Sequence, residues 1–118
     1  MFGKPWSDRD RWRRVAEACE ALAPVFDRKA TPSTVRFLRE SALALRGDAS
    51  DEQARRVMVR LFEFVSAGRG GPFDEPVLDD AGRIDGVSSA RMIDLQKELG
   101  RLTSPIFRRS RELRSNGR

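Results

Sequence analysis

The stretch from Gly68 to Gly86 contains the residue types from which anion and cation sites are often built. Its sequence, GRGGPFDEPVLDDAGRIDG, holds five glycines, two prolines and five acidic residues between two segments of helical pattern. Glycine-rich backbone can surround a phosphate, and clustered carboxylates can hold a hard cation such as calcium. Which of these the stretch can do depends on the spacing of its residues.

The glycines do not have the spacing of a phosphate-binding loop. Such a loop precedes a helix and carries a lysine followed by serine or threonine. Here Gly70 and Gly71 follow a helical segment, and the neighbouring base is Arg69. We therefore predict no nucleotide or other cofactor at this loop.

The acidic residues do not have the spacing of a calcium loop. That loop needs a glycine at position six and a glutamate at position twelve, and neither Gly82 nor Gly86 gives that register. Asp79, Asp80 and Asp85 could hold a hard cation weakly, but the better interpretation is that they face water. We predict no metal site.

The amino acids that most enzymes use for nucleophilic and acid–base chemistry are scarce in this chain. It has no histidine, no tyrosine and one cysteine, Cys19, which excludes Ser-His and Cys-His catalysis and a structural zinc site. Cys19 lies on an apolar stripe and is expected to be buried and inert. Glu17 with Glu20, or Glu40 with Glu63, could pair, but nothing indicates a cleft around them. We predict that the protein is not an enzyme.

Positive charge is concentrated at the C-terminal end of the chain. The net charge is +5, and residues 101–118 hold six arginines against Glu112 alone, so the rest of the chain is neutral. Basic residues at the end of a helix could neutralise phosphates, bind an acidic protein, or complement the helix dipole. The nucleic-acid interpretation would use Arg108, Arg109, Arg111 and Arg114.

The segment WSDRDRWRR, residues 6–14, mixes aromatic residues with arginines, as single-strand nucleic-acid binders do. Asp8 and Asp10 lie three or four residues from arginines, the spacing of ion pairs on one helix. We therefore interpret the segment as a solvated helix start with Trp12 in the core.

Four segments repeat apolar residues every three or four positions, which predicts four amphipathic helices. Ser7 is the expected cap of the first, with Asp10 reaching back to it, and Pro24 is expected to kink or break that helix. Pro105 should kink the fourth helix or split it in two. The remaining predicted boundaries are Thr31 and Pro32 at the start of helix two, Gly47 at its end, the Ser50–Gln53 capping box of helix three, Gly68 at its end, and Ser88 or Ser89 at the start of helix four.

The segment RGGPFDEPVL, residues 69–78, resembles the GMGSFNDLVL signature of a family of small, uncharacterised bacterial helical proteins. In that family the signature also follows the end of a helix and precedes a C-terminal helix, and the resemblance implies a bacterial helical protein that acts as a binding or antagonist module. The positions that match are Gly71, Phe73, Val77 and Leu78, with Asp74 and Glu75 near Asn-Asp, whereas Arg69, Pro72 and Pro76 depart from it.

Taken together, the patterns predict an all-α single domain over residues 1–118, with a basic end at 107–118. The fold is a small four-helix bundle, or five helices if Pro105 splits the last, with one long Gly/Pro/Asp-rich loop between helices three and four. We predict a protein–protein interaction module, an adaptor or antagonist, that binds an unidentified protein partner. Its contact residues are predicted to be Arg69, Phe73, Asp74 and Glu75. In the alternative, the loop is only a connection and Phe73, Val77 and Leu78 pack onto the bundle.

The chain has no apolar run of the roughly 18 residues that a membrane span needs, and its N-terminal residues do not form a secretory signal. We expect a cytoplasmic protein without a membrane partner. The near-heptad of helix four fits packing within one chain or between two, so monomer and homodimer both stay open.

Overall fold

The computed structural model describes residues 4–116, with side chains described through Arg114, and within that range the fold is all-α. Residues 1–3 and 117–118, which belong to the predicted domain and basic end, lie outside the described residues. A 3₁₀ turn, Pro5–Ser7, precedes four helices. These are α1 (Arg9–Arg28), α2 (Pro32–Arg46), α3 (Asp51–Val65) and α4 (Gly86–Asn116).

The helices alternate in direction around one core. The starts of α1 and α3 lie together, where the Ser7 hydroxyl donates to Asp51 Oδ2 at 2.7 Å, and their ends meet at Phe26 and Phe64, whose ring centroids are 5.9 Å apart. The most extensive contacts are α1 with α2 and α3 with α4, followed by α1 with α4. We call the end that carries residues 66–85 the loop end, and the other the tail end.

The first helix is capped by Asp8 and not by Ser7. Asp8 Oδ1 accepts from the backbone N–H of Asp10 at 3.0 Å and of Arg11 at 3.3 Å. The predicted Ser7 cap is wrong because its hydroxyl is taken by Asp51 on α3. The Asp10 carboxylate does not reach back to Ser7, and instead pairs with the arginines three and four positions on.

Helices α2 and α3 begin at the positions that the sequence predicts. Pro32 is the first residue of α2, but the Thr31 hydroxyl donates to Phe26 O at 3.0 Å and does not cap. The capping box of α3 is confirmed, since Gln53 N donates to Ser50 Oγ at 3.1 Å and Ser50 N donates to Gln53 Oε1 at 2.8 Å.

The helix ends use glycine less than expected. Gly47 follows α2 in an extended conformation (φ −96°) and not the left-handed one. The third helix ends at Val65, three residues before Gly68, and Gly68 does have a positive φ of 74°. The turn after α1 instead places Ala30 at φ 55°, a conformation that costs a non-glycine residue energy.

Neither proline divides its helix. The first helix is continuous through Pro24, so of the two outcomes expected there, a kink or a break, the break does not occur. Since α4 is continuous through Pro105, the five-helix alternative is wrong. Phe26, two residues after Pro24, and Ile106, directly after Pro105, are fully buried. This packing holds both halves of each helix in place. Arg11 Nη1 also donates to Leu102 O at 2.7 Å, one turn before Pro105.

The apolar stripes form one core. Trp12 is buried as predicted, and its indole Nε1 donates to Trp6 O at 2.6 Å. Cys19 is fully buried, and burial, aided by the negative charge of Glu20, raises the pKa of its thiol to about 12. The thiol is therefore protonated at neutral pH and inert, as expected.

Among the residues that the structure describes, no helix combines the length and the apolar composition needed to cross a membrane.

Candidate functional site

The loop between α3 and α4 is attached to the core by Phe73. Its ring is 8% exposed and meets Phe26 edge-on, with centroids 5.3 Å apart at 89°, and Phe64 at 5.2 Å and 64°. Val77 of the same loop is fully buried. Phe73 therefore packs in the core between α1 and α3, which leaves little of it for a partner to touch, and its predicted role as a contact residue stays a prediction.

Lys29, at the end of α1, fixes the backbone of the same loop. Its Nζ donates to Pro72 O at 2.7 Å and to Glu75 O at 2.8 Å, and lies 5.0 Å from the Phe26 ring centroid. Burial lowers the pKa of Lys29, and the nearby Glu75 carboxylate partly opposes that shift. Sequence reasoning missed this residue, since a lysine at a helix end also fits the helix dipole alone.

Asp85 ties the end of the loop to α1 and begins α4. Its carboxylate accepts from Ser88 N at 3.0 Å, Ser88 Oγ at 2.9 Å and Arg28 Nη1 at 2.8 Å. The pKa of Asp85 is lowered to about 2, first by the Ser88 backbone N–H and then by Arg28 and the Ser88 hydroxyl. This cap starts α4 at Gly86, two residues before the predicted serine.

The loop acids are used for local structure. Asp79 Oδ1 accepts from the backbone N–H groups of Ala81 and Arg83, each at 2.9 Å, and Asp85 is paired with Arg28. Across the described part of the chain, no group of three or more acidic, histidine or cysteine side chains is arranged to hold a metal ion.

Residues 77–85 form a miniature hairpin that points two apolar side chains outward. Asp79 N donates to Arg83 O at 2.7 Å and Asp85 N donates to Val77 O at 2.8 Å, on either side of the antiparallel bridge between Leu78 and Ile84. In such a non-hydrogen-bonded pair the two side chains are close together. Leu78 is 49% exposed and Ile84 66% exposed.

Val87, in the first turn of α4, is 83% exposed and follows the hairpin by two residues. We call Leu78, Ile84 and Val87 the loop-end patch. Sequence reasoning missed Ile84 and Val87, and it expected Leu78 to be covered if the loop were only a connection. No local pattern distinguishes these three from buried apolar residues.

The other predicted contact residues precede this patch in the sequence and lie on the surface. Arg69, Asp74 and Glu75 are exposed. The Asp74 carboxylate accepts from Gly70 N at 2.9 Å and so shapes the loop, and the Glu75 carbonyl is held by Lys29. Arg69, Asp74 and Glu75 are therefore exposed on the loop that also carries Phe73, whose ring is buried.

The arginines of the alternative nucleic-acid site are all exposed near the end of α4. Arg109 Nη1 lies 3.6 Å from Glu112 Oε2, and the Arg111 guanidinium lies 5.9 Å from the Phe107 ring centroid. At 3.6 residues per turn, Arg108, Arg111 and Arg114 advance around one side of the helix, whereas Arg109 points away from them.

No protein-family model matches the chain, and comparisons with curated proteins and with solved structures give no match either. The resemblance of residues 69–78 to the bacterial signature stays a prediction.

Phe73→Ala should lower the free energy of unfolding by about 3–5 kcal/mol, because it removes a buried aromatic ring and leaves a cavity. Urea denaturation checks this value. Leu78→Ala, a half-exposed position on the same loop, is the control and should cost about 1 kcal/mol or less. Equal effects of the two changes would contradict the burial of Phe73.

Asp85→Asn should destabilise the protein at neutral pH and lose that effect in acid. The folded carboxyl has a pKa of about 2 against 3.8 ordinarily, so the stability that its ionised form contributes is present above about pH 4 and is lost as the pH falls towards 2. Urea denaturation of both proteins at pH 7, 5, 4 and 2.5 measures the difference. Asp80→Asn, an exposed change on the same loop, is the control and should alter the stability little. A difference for Asp85→Asn that is as large at pH 2.5 as at pH 7 would contradict the assignment.

Proposed function

We propose that this protein is a non-enzymatic protein–protein interaction module that binds its partner through the loop-end patch. Exposed apolar side chains that lie side by side, as Leu78 and Ile84 do, can serve as sites of interaction. The observation that carries the proposal is the paired exposure of Leu78 and Ile84 on a hairpin that is itself firmly attached.

The attachment supports binding because it fixes the shape of the surface before a partner arrives. Arg28 on α1 donates to the Leu78 carbonyl at 3.4 Å, and the hydroxyl of Ser89 on α4 accepts from Val77 N at 2.9 Å. The hairpin is therefore held by both α1 and α4. A surface ordered in advance loses less conformational entropy on binding than a mobile loop would.

The charges next to the patch favour a protein partner over a polyanion. Asp80, Arg83 and Arg91 are exposed and adjoin the patch in sequence, which gives both signs of charge around an apolar centre. Protein interfaces commonly have an apolar centre and a polar rim. The fitting partner is therefore a protein that presents apolar side chains surrounded by charges of both signs.

A photoreactive benzoylphenylalanine at position 84 should crosslink the partner in cells of the native host, and the same group at position 43 should not. Leu43 is 74% exposed on α2 and so is a matched apolar control away from the loop. Mass spectrometry of the adduct identifies the partner. Adding Leu78→Ser and Val87→Ser should remove the adduct while the melting temperature stays nearly unchanged.

Absence of a position-84 adduct, or equal adducts from both positions, would contradict the proposal. An adduct that contains only a second copy of the chain would instead assign the patch to a homodimer.

Nucleic-acid binding is a second candidate, supported by the exposure of Arg108 and Arg111. Within the described residues, neither guanidinium lies within 4 Å of a carboxylate oxygen, so both can meet phosphates without breaking an ion pair. Arg109 contributes less to this candidate because Glu112 neutralises it.

If this candidate is right, random-sequence DNA should bind at low salt with a steep dependence on salt concentration. Arg108→Gln with Arg111→Gln should reduce the slope of log K against log salt by about 2, because each arginine on a phosphate contributes about one. Arg69→Gln with Arg83→Gln removes the same charge at the loop end and should leave the slope unchanged. Fluorescence anisotropy measures binding, and no binding at low salt would eliminate this candidate.

A further inference from the structure

A basic cavity lies at the tail end of the bundle, away from the loop-end patch. Its volume is about 440 Å³. Three parts of the chain contribute to it, namely the N-terminal turn, α3 and the last turns of α4. The lining residues that matter for its chemistry are Lys4, Trp6, Glu52, Arg55, Ser110 and Arg114.

Trp6 brings two of the cations together. Lys4 Nζ lies 5.9 Å and the Arg55 Cζ 5.8 Å from the Trp6 ring centroid, so both charges gather at one aromatic ring. Trp6 is 3% exposed, and its carbonyl accepts from the Trp12 indole, which fixes the ring in the core. Both cations thus have the same buried aromatic ring as a neighbour.

Arg55 is oriented in advance by its neighbours. Its Nη1 donates to Ser110 Oγ at 3.1 Å and its Nε donates to Glu52 Oε1 at 3.0 Å. Its Nη2 also donates to Glu52, and the side chain, which lines the cavity, is 21% exposed. Ser110 is buried, so it links α3 and α4 at the inner wall of the cavity.

The cavity has more positive charge than its own carboxylate can neutralise. Glu52 is the one acid among its lining residues, against Lys4, Arg55 and Arg114. The pKa of Glu52 is lowered first by the hydrogen bond from Arg55, and the charges of Arg55, Arg56 and Lys4 lower it further. The Glu52 carboxylate therefore already occupies the position of an anion, and two positive charges remain.

We infer that this cavity binds the phosphate group of a small phosphorylated molecule. The two positive charges that remain match the charge of a phosphate dianion. Arginine guanidinium groups and lysine ammonium groups, which Arg55, Arg114 and Lys4 provide here, are the usual ligands of phosphate oxygens. The volume exceeds that of phosphate alone and falls in the range of small-molecule sites. A phosphomonoester with a small organic group is thus the ligand class that fits.

The test is an NMR titration of the full chain with inorganic phosphate and with a nucleoside 5′-monophosphate, at constant ionic strength set by chloride. We expect saturable shifts of the Trp6 indole and Arg55 Nε resonances with both compounds. The corresponding nucleoside, which lacks the phosphate, should produce none. If the monophosphate binds more tightly than inorganic phosphate, the natural ligand of the cavity is an organic phosphate and not the free ion.

Charge-changing variants distinguish a specific phosphate site from the general attraction of anions to a basic protein. Arg114→Gln should weaken binding about tenfold, the effect of losing one hydrogen bond between charged groups. Arg109→Gln is the matched control, because it removes the same charge from an exposed position on α4 outside the cavity, and it should leave the affinity unchanged.

Glu52→Gln gives the sharpest result, because it should tighten binding. The substitution removes the carboxylate that competes with the ligand for Arg55, and a purely structural role for Glu52 would not produce that gain. Glu112→Gln makes the same charge change on α4 and should have no effect.

The inference is overturned if neither phosphate compound gives saturable shifts, or if Arg109→Gln weakens binding as much as Arg114→Gln. It is also overturned if Glu52→Gln, confirmed as folded by its spectrum, fails to tighten binding. Binding of DNA alone, without saturable binding of the monophosphate, would instead favour the second candidate function over this cavity.

Discussion

The C-terminal turn of α1 holds the 66–85 loop on the bundle, and the surface at this end depends on that attachment. The Phe26 ring packs against Phe73, and the Lys29 ammonium satisfies two loop carbonyls that have no helix or sheet partner. Backbone groups that lose contact with water without gaining a partner are costly, so a lysine with several donors helps an irregular segment to lie against the core. The apolar ring supplies the burial and the ammonium supplies the hydrogen bonds.

This attachment decides which side of the loop meets water. With Phe73 and Val77 directed inward, the alternation of the short hairpin turns Leu78 and Ile84 outward. The protein therefore presents an apolar surface at the loop end and cationic side chains at the tail end. Between them lies the core of buried apolar side chains.

Several local features could be predicted because they depend on neighbours in sequence. The four helices, the Ser50 capping box and the buried Trp12 follow from spacing over a few residues. Predictions failed where a partner distant in sequence competes for the same group. Ser7 is a good cap by type, but Asp51 on α3 accepts its hydroxyl, and the adjacent Asp8 caps in its place.

By itself the sequence determined the all-α class, the four amphipathic segments, the faces that they bury, and the lack of histidine and tyrosine chemistry. Those properties depend on helical periodicity and residue type, which act over one or two turns. Only the tertiary structure decided that Phe73 is core while Leu78, Ile84 and Val87 are exposed, and that Lys4, Arg55 and Arg114 share a cavity. The physical reason is that burial and charge proximity depend on which surfaces meet across the bundle, and residues far apart in the chain provide those surfaces.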